Sequence, residues 1–320
     1  MFINKLTINE FRGIKSCKHP IELSNFTVLI GRNNSGKSAI LEALSLLPDP
    51  HLSNYITGAS RLDYLKSLHP PSSMKRLLYL YAGKSILDYE IQGQSFRIEI
   101  NEGGVKTYIN KSRDDFSMKI SKIYNISLEK LSQLVLFIPY TTTIISNLEQ
   151  NMKELKESIT KQGYHISLAQ FLNECVNDEY SEIVFLEPIS LRKVYSDNKV
   201  YIQLRDLGSG AEKVVKIMGL LEVLSPELVI IDDFETGLHP TLIRLFLKWL
   251  KEKKWQKVIS THSIDVLYHL VEIKPKDTTI IQINKSNEDI LSHKVLSLEQ
   301  IEDIMDANND PRLLVDLLEL

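Results

Sequence analysis

The sequence predicts an α/β fold built around a parallel sheet. Two observations carry that prediction. Between residues 211 and 283, apolar runs suited to strands alternate with longer helical patterns, the rhythm of βαβ units. Near the N-terminus, the apolar run FTVLI (26–30) leads through a glycine-bearing loop into the helical pattern AILEALSLL.

Taken in order, residues 2–9 (FINKLTIN) alternate as a half-buried strand does, and 26–30 make a fully buried one. After a helix near 38–47, residues 86–91, 95–101 and 104–110 alternate around GQ and EGG turns, a meander of hairpins. Residues 134–138 (LVLFI) form another strand, stopped by Pro139. From 144 to 180 the chain turns polar and helical, with Leu148, Met152, Leu155 and Ile159 at helical spacing and Lys153 set to pair with Glu157 at i,i+4. This stretch predicts an inserted helical pair turning near Gly163, with an ordinary core helix as the alternative. Strands return over 183–205. Helix 211–224, strand 227–231, helix 240–252, strand 257–260, helix 263–271 and strand 278–283 follow, and the tail (298–320) reads as two short helices around NNDP. The expected organisation is an N-terminal lobe (1–143), a helical insert (144–180) and a C-terminal lobe (181–320).

The 320 residues are 43% hydrophobic and 25% charged, which excludes a disordered chain. A net charge of −3 excludes a globally basic nucleic-acid coat but leaves room for a local basic face. Cys17 and Cys175 are too few for a disulfide framework or a zinc site, so a reducing, cytoplasmic compartment is expected. No apolar run approaches the roughly 18 residues of a membrane span. The best, around 217–231, is broken by Glu222, Pro226 and Glu227, and no membrane association is expected.

Gly31-Arg32-Asn33-Asn34-Ser35-Gly36-Lys37-Ser38 fits G-x-x-x-x-G-K-[ST], with the required strand before it and helix after it. Glycines let the backbone wrap phosphates, and amides at the helix N-terminus donate to them. On this reading Gly31, Asn33, Asn34, Ser35, Gly36 and Ala39 line a nucleotide site, Lys37 reaches the β- and γ-oxygens, and Ser38 ligates Mg²⁺. Residues 228–240 (LVIIDDFETGLHP) are an apolar strand ending in two carboxylates. Asp232 is placed to hold Mg²⁺ and Asp233 to polarise an attacking water, although adjacent acids after a strand also serve as N-caps. The strand KVIS runs into Thr261-His262-Ser263. His262 belongs near the γ-phosphate because parallel strands deliver their C-terminal ends to the ligand crevice, while Thr261 or Ser263 could simply cap the next helix. Gly208, Ser209 and Gly210 open a further helix. From spacing alone, a plain turn and cap is favoured there over an anion site.

Together these pieces resemble the ATP-binding-cassette class of P-loop ATPases, in its SMC-like branch containing the OLD family. The resemblance rests on NEFRGIKS and IELSNFTVLIGRNNSGKSAILEAL, on IIDDFETGLHP in the place of D-E-P-E-x-G-L-H-P, on THSIDVL as the His switch, and on LGSGAEK as the signature loop. It implies a bilobed α/β head with a β-rich N-terminal lobe. It also implies a homodimer with ATP and Mg²⁺ at the interface, in which Ser209 and Gly210 contact the γ-phosphate in trans, Arg12 lies near the nucleotide, and Glu235 to His239 form a dimer contact.

One departure is chemical. The family's catalytic Glu is Asp233 here, shorter by about 1.5 Å. Slow hydrolysis is therefore expected, since misplacement by about an ångström costs ~100-fold. The family's Q-loop glutamine has no match; Gln133 precedes its strand, and FIPYTTT (137–143) stands in that place. The stretch from Lys248 to Lys257 has five Lys and two Trp. It suits nucleic-acid phosphates, but reads better as a solvated helix end with Trp249 in the core. NKSN (284–287) lacks the Asp of a guanine-reading motif, which argues against a small GTPase. About 50 residues follow the His switch, too few for the Toprim nuclease that OLD proteins often carry. The expectation is thus an ATPase switch in DNA maintenance or defence, with an effector protein (a nuclease or other) in trans and DNA as the candidate partners. The alternative is a DNA-binding ATP clamp with little turnover.

Overall fold

The computed structural model describes residues 1–139, 141, 144–176, 178–195 and 198–313. In chain order the elements are β1 (Lys5–Phe11), β2 (Ile14–Cys17), β3 (Ile21–Glu22), β4 (Phe26–Ile30), α1 (Lys37–Ser45), α2 (Arg61–Ser67), β5 (Ser85–Ile91), β6 (Gln94–Asn101), β7 (Gly104–Ile109), β8 (Ser112–Arg113), α3 (Phe116–Tyr124) and β9 (Val135–Ile138). Next come α4 (Ile144–Glu154), α5 (Lys156–Lys161), α6 (Tyr164–Val176), β10 (Tyr180–Val184), β11 (Ser190–Tyr195), β12 (Asn198–Gln203) and α7 (Ser209–Leu224). The remainder is β13 (Leu228–Ile231), α8 (Pro240–Lys251), β14 (Gln256–Ser260), α9 (Ile264–Ile273), β15 (Thr278–Lys285), β16 (Ile290–Leu296) and α10 (Leu298–Asp306). Two compact units result: one of Met1–Pro139, Pro226–Phe234 and the chain from Lys254 on, the other of Tyr140–Ser225 and Glu235–Lys253.

The first unit is organised by a 13-stranded sheet of order β8-β7-β6-β5-β1-β2-β16-β15-β4-β14-β13-β9, with β3 beside β1. Five neighbours, β9, β13, β14, β4 and β15, are mutually parallel. Their near-continuous apolar character follows, because parallel strands are covered on both faces; every residue of β4, β13 and β14 is buried. The meander β5 to β8 is antiparallel, and β16 links the two regions by pairing antiparallel with β15 and parallel with β2. In the β5–β6 hairpin the left-handed pair is Gln92 (φ 49°) and Gly93 (φ 71°), one residue earlier than the GQ turn expected from sequence. Buried Arg61 of α2 fastens this unit, donating to the carbonyls of Ser45 at the end of α1 (3.2 Å) and of Ser132 and Val135 at the start of β9 (3.0 and 2.9 Å).

In the second unit α4, α5 and α6 pack on α7. Met152 and Leu168 come within 3.0 and 3.3 Å of where a Cβ on Gly219 would lie, so the side-chain ends of α4 and α6 pack closely on α7 at this glycine. The predicted helical pair is three helices, because the chain kinks at Leu155 (ψ 3°) before it turns at Gly163 (φ 77°). The kink rotates Glu157 away from Lys153, which pairs instead with Glu149 (3.2 Å) and Glu187 (3.6 Å). Leu148, Met152 and Ile159 are buried as their spacing predicts, whereas Leu155 is half-buried. Strands β10 to β12 form a separate antiparallel sheet. Of the two tail helices expected, α10 is present; the second lies outside the described residues. Among the described residues no helix is long and apolar enough to cross a membrane.

Candidate nucleotide site

The C-terminal ends of β4, β14 and β13, adjacent in the sheet, carry the predicted phosphate loop, Thr261-His262 and Asp232-Asp233. Three parallel strands therefore deliver chemistry to one edge, as open α/β sheets do. At Gly31 the backbone takes φ 144°, and a Cβ there would stand 2.4 Å from the Ile283 carbonyl oxygen. Gly36, at φ 107°, opens α1 with no side-chain cap, the kind of helix start that binds anions. Lys37 is buried and folds back along the loop, donating to the carbonyls of Gly31 (2.9 Å) and Arg32 (3.0 Å). The loop from Asn33 to Ala39 lines a cavity of about 360 Å³ together with Arg12, Ile14, His262 and Lys285. Ser35 Oγ is buried there with no hydrogen-bond partner.

Arg12 follows β1 in a left-handed conformation (φ 54°), and its Nε lies 3.3 Å from Glu42 Oε2. Glu42 sits one turn after Ser38 on α1, is buried, and meets His69 Nε2 at 2.9 Å through its other oxygen. Lys285, at the end of β15, donates to the Gly13 carbonyl (3.0 Å) and pairs with Asp289 (2.8 Å). No site role is legible in the sequence for Glu42, His69 or Lys285: Lys285 lines the cavity, whereas Glu42, paired with His69, connects to it only through Arg12.

Asp232 is buried, and Ser260 Oγ donates to its Oδ1 at 2.5 Å. Burial pushes its carboxyl above the ordinary range. The hydroxyls of Ser260 and Ser38 pull it back, while Asp233 and Glu42 add repulsion. Asp233 adopts φ 44° and donates its N–H to Ser260 Oγ (2.8 Å); its Oδ1 lies 3.6 Å from His262 Nε2. The THS segment supplies caps and leaves its histidine facing the cavity. Ser263 caps α9 by accepting the Asp265 N–H, and Thr261 Oγ1 accepts from the Ser263 N–H, which leaves His262 to line the cavity. Arg312 donates to the His262 carbonyl.

In the second unit, Gly208 (φ 99°) and exposed Ser209 begin α7, again without a side-chain cap. Gly210 is required because a Cβ would stand 2.3 Å from the Gly237 carbonyl oxygen. Lys216 of α7 is buried between Glu149 of α4 (2.8 Å) and Glu212 (2.6 Å). His239 Nδ1 accepts the Thr241 N–H at the start of α8, where Pro240 takes the first position.

The lysine-rich stretch divides. Lys248, Lys251 and Lys254 are exposed, but Lys257 is buried in β14. Trp249 is half-buried rather than in the core. Its Nε1 donates to Glu222 (2.9 Å), its ring stacks on Phe246, and Lys253 lies over it at 4.6 Å. Of the FIPYTTT segment, residues 140, 142 and 143 lie outside the described residues, and Phe137 and Ile138 end β9.

Residues 1–102 match the family model of an AAA ATPase domain, and residues 94–267 match one described as "AAA domain, putative AbiEii toxin, Type IV TA system". The DNA replication and repair protein RecF of Vibrio cholerae is 31% identical over 140 residues, 43% of this chain and 32% of that protein, so the match spans about a third of that relative's length. An ATP/GTP phosphatase of Helicobacter pylori is 22% identical over 334 residues, covering 85% of this chain and 89% of that one. The Smc head domain of Pyrococcus furiosus, bound to the C-terminal domain of ScpA, has a TM-score of 0.61 at 14% identity, covering 96% of this chain and 99% of that chain. The SMC head domain of Thermotoga maritima has a TM-score of 0.51 at 17% identity, covering 93% of this chain and 100% of that chain. At such identities the likeness shows the fold, that of an SMC head. The second family model takes in more than half of the chain, and the protein thus belongs to that AAA-domain family.

Proposed function

We propose that this chain is a nucleotide-driven switch, an SMC/OLD-like ATPase whose copies pair around two Mg-ATP and act through a partner in DNA maintenance or defence. The reading is carried by one observation: a single cavity lined by the phosphate loop, Arg12 and His262, beside the carboxylates of Asp232 and Asp233. The residues present fit Mg-ATP. The uncapped start of α1 and the partnerless Ser35 hydroxyl suit phosphate oxygens, and Ser38 with Asp232 offers the hard oxygen donors that Mg²⁺ prefers. Among the described residues no group of three or more His, Cys, Asp or Glu could hold a metal, in keeping with an ion that takes its other ligands from phosphate and water. Ser38 and Asp232 would hold Mg²⁺, which when bound would supply positive charge to offset the charge developing on the phosphates.

The chain's own residues supply the remainder. Lys37 turns from the loop carbonyls toward the β- and γ-oxygens, and Asp233 accepts a hydrogen bond from the attacking water. His262, 3.6 Å from that carboxylate, shares the water or a phosphate oxygen with it, and Arg12, braced by Glu42, faces the nucleotide. Ser209 and Gly210 of one copy complete the other copy's site, and Glu235 to His239 line the contact. This part rests on the resemblance of LGSGAEK and GLHP to the family's motifs. A role in DNA maintenance is supported by the RecF relative, and a role in defence by the toxin–antitoxin description of the family. A protein partner is supported by the ScpA domain on an Smc head of like fold.

Sizing of the protein with and without Mg-ATP, wild type beside Ser209→Arg, tests the reading. A dimer that forms only with nucleotide and only with Ser209 intact supports it; a monomer under all conditions removes it. The second reading, a DNA clamp with little turnover, is favoured by the short reach of Asp233. ATP-strengthened, salt-dependent DNA binding that is lost when exposed Lys248, Lys251 and Lys254 become Glu would establish it.

A further inference from the structure

We propose that Ser260 is the positioning residue of this site, one hydroxyl that sets both carboxylates at the end of β13; the inference rests on the Mg-ATP reading above. Ser260 is the last residue of β14 and is fully buried. Its Oγ donates to Asp232 Oδ1 (2.5 Å) and accepts the N–H of Asp233 (2.8 Å), while its carbonyl oxygen accepts the N–H of Phe234 (3.0 Å). Three consecutive residues after β13 therefore hang on one serine of the neighbouring strand.

The direction of these bonds is fixed. The Asp233 amide can only donate, so the hydroxyl meets it with a lone pair and gives its single hydrogen to Asp232. Holding one oxygen of Asp232 sets the plane of the carboxylate. Anchoring the Asp233 amide holds this residue at φ 44°, a left-handed conformation that a side chain disfavours, with its carboxylate 3.6 Å from His262. The serine is itself rigid. It pairs with Leu29 of β4, the strand that feeds the phosphate loop, and the next amide, Thr261 N–H, donates to the Leu29 carbonyl (3.1 Å). Phosphate loop, metal-binding carboxylate and water-polarising carboxylate are thus referred to one backbone point. In an Ala variant the Phe234 bond would survive but both side-chain bonds would go, and the burial of the site leaves water poorly placed to replace them.

The test compares Ser260→Ala and Ser260→Thr with wild type in the full-length protein. For Ser260→Ala, kcat is expected to fall about 10- to 100-fold and half-saturation by Mg²⁺ to rise by a similar factor, as when a group orienting a metal ligand is lost. Nucleotide affinity without Mg²⁺ should not change. Independently of turnover, hydrogen exchange in the segment 232–234 should quicken in the nucleotide-free protein, and Ser260→Thr, which keeps the hydroxyl, should restore exchange, Mg²⁺ dependence and kcat together. Unchanged exchange and unchanged Mg²⁺ dependence in Ser260→Ala would overturn the assignment, as would a uniform loss of nucleotide affinity with and without Mg²⁺. Asp232→Asn measured alongside separates the two levels: if it too leaves turnover intact, the Mg-ATP reading has failed rather than the role of Ser260.

Discussion

Asp233 Oδ1 stands 3.6 Å from His262 Nε2, across the gap between the ends of β13 and β14. That separation is just too long for a direct hydrogen bond and suits a pair that closes on a water or a phosphate oxygen. It is also where the shorter acid matters most. The motif that IIDDFETGLHP resembles has Glu in this place, and Asp233→Glu should carry the carboxylate about 1.5 Å further. Steady-state phosphate release should rise about tenfold or more in Asp233→Glu and vanish in Asp233→Asn. Equal turnover of Asp233→Glu and wild type would refute the reach argument.

Arg61 should prove one of the most sensitive positions for stability. Its guanidinium serves three carbonyl oxygens at the junction of α1, α2 and β9, and burial lowers its pKa to about 9, against which nearby Asp49 favours the charge. Removing it strands buried acceptors, so Arg61→Ala should cost about 3 kcal/mol or more in urea unfolding. Arg61→Lys should recover only part of this, because one ammonium cannot span the three oxygens of a forked site.

Lys216 makes the second unit sensitive to acid. Its ammonium, hydrogen-bonded to Glu149, holds that carboxyl below the ordinary range, with Lys153 adding to the effect. A carboxylate with a depressed folded pKa stabilises the fold above its unfolded value and loses that contribution as pH falls through the folded one. Unfolding followed from pH 6 down to pH 2 should therefore show a loss below about pH 4.5 that is weaker in Glu149→Gln. Lys216→Ala should be worse than either, since it leaves two acids facing each other beside a buried gap.

The two thiols should be inert. Burial, with a smaller contribution from Glu174, pushes Cys175 up to about 12, and burial also raises Cys17. At pH 8 only about one Cys175 in 10⁴ would be thiolate, the form that reacts. Iodoacetamide labelling of the folded protein at pH 8, read by intact mass, should be far slower than in urea. Rapid labelling of Cys175 in the folded state would contradict its placement.

Much of the site was legible because phosphate binding demands a local arrangement. A strand, two glycines, Lys37 and Ser38 within thirteen residues can be recognised before any folding is known, since their partners are one another and the ligand. Asp232, Asp233 and His262 were legible for a related reason: each follows an apolar run, and parallel strands end on one edge. The predicted insert was less legible. The kink at Leu155 arises where α4 and α5 each settle their apolar face on α7, and no residue at 155 announces it.

The sequence by itself determined the class of chemistry and the parallel sheet that serves it, because both are written in short-range patterns of apolar period, glycine placement and charge. Only the tertiary structure decided what steadies that chemistry. Ser260 lies 28 residues from Asp232 and Glu42 lies 30 from Arg12, and neither separation carries a periodic signal. Their roles come from strand order, which places β14 between β4 and β13, and from burial, which turns a single serine hydroxyl into a fixed bond at the ends of two strands.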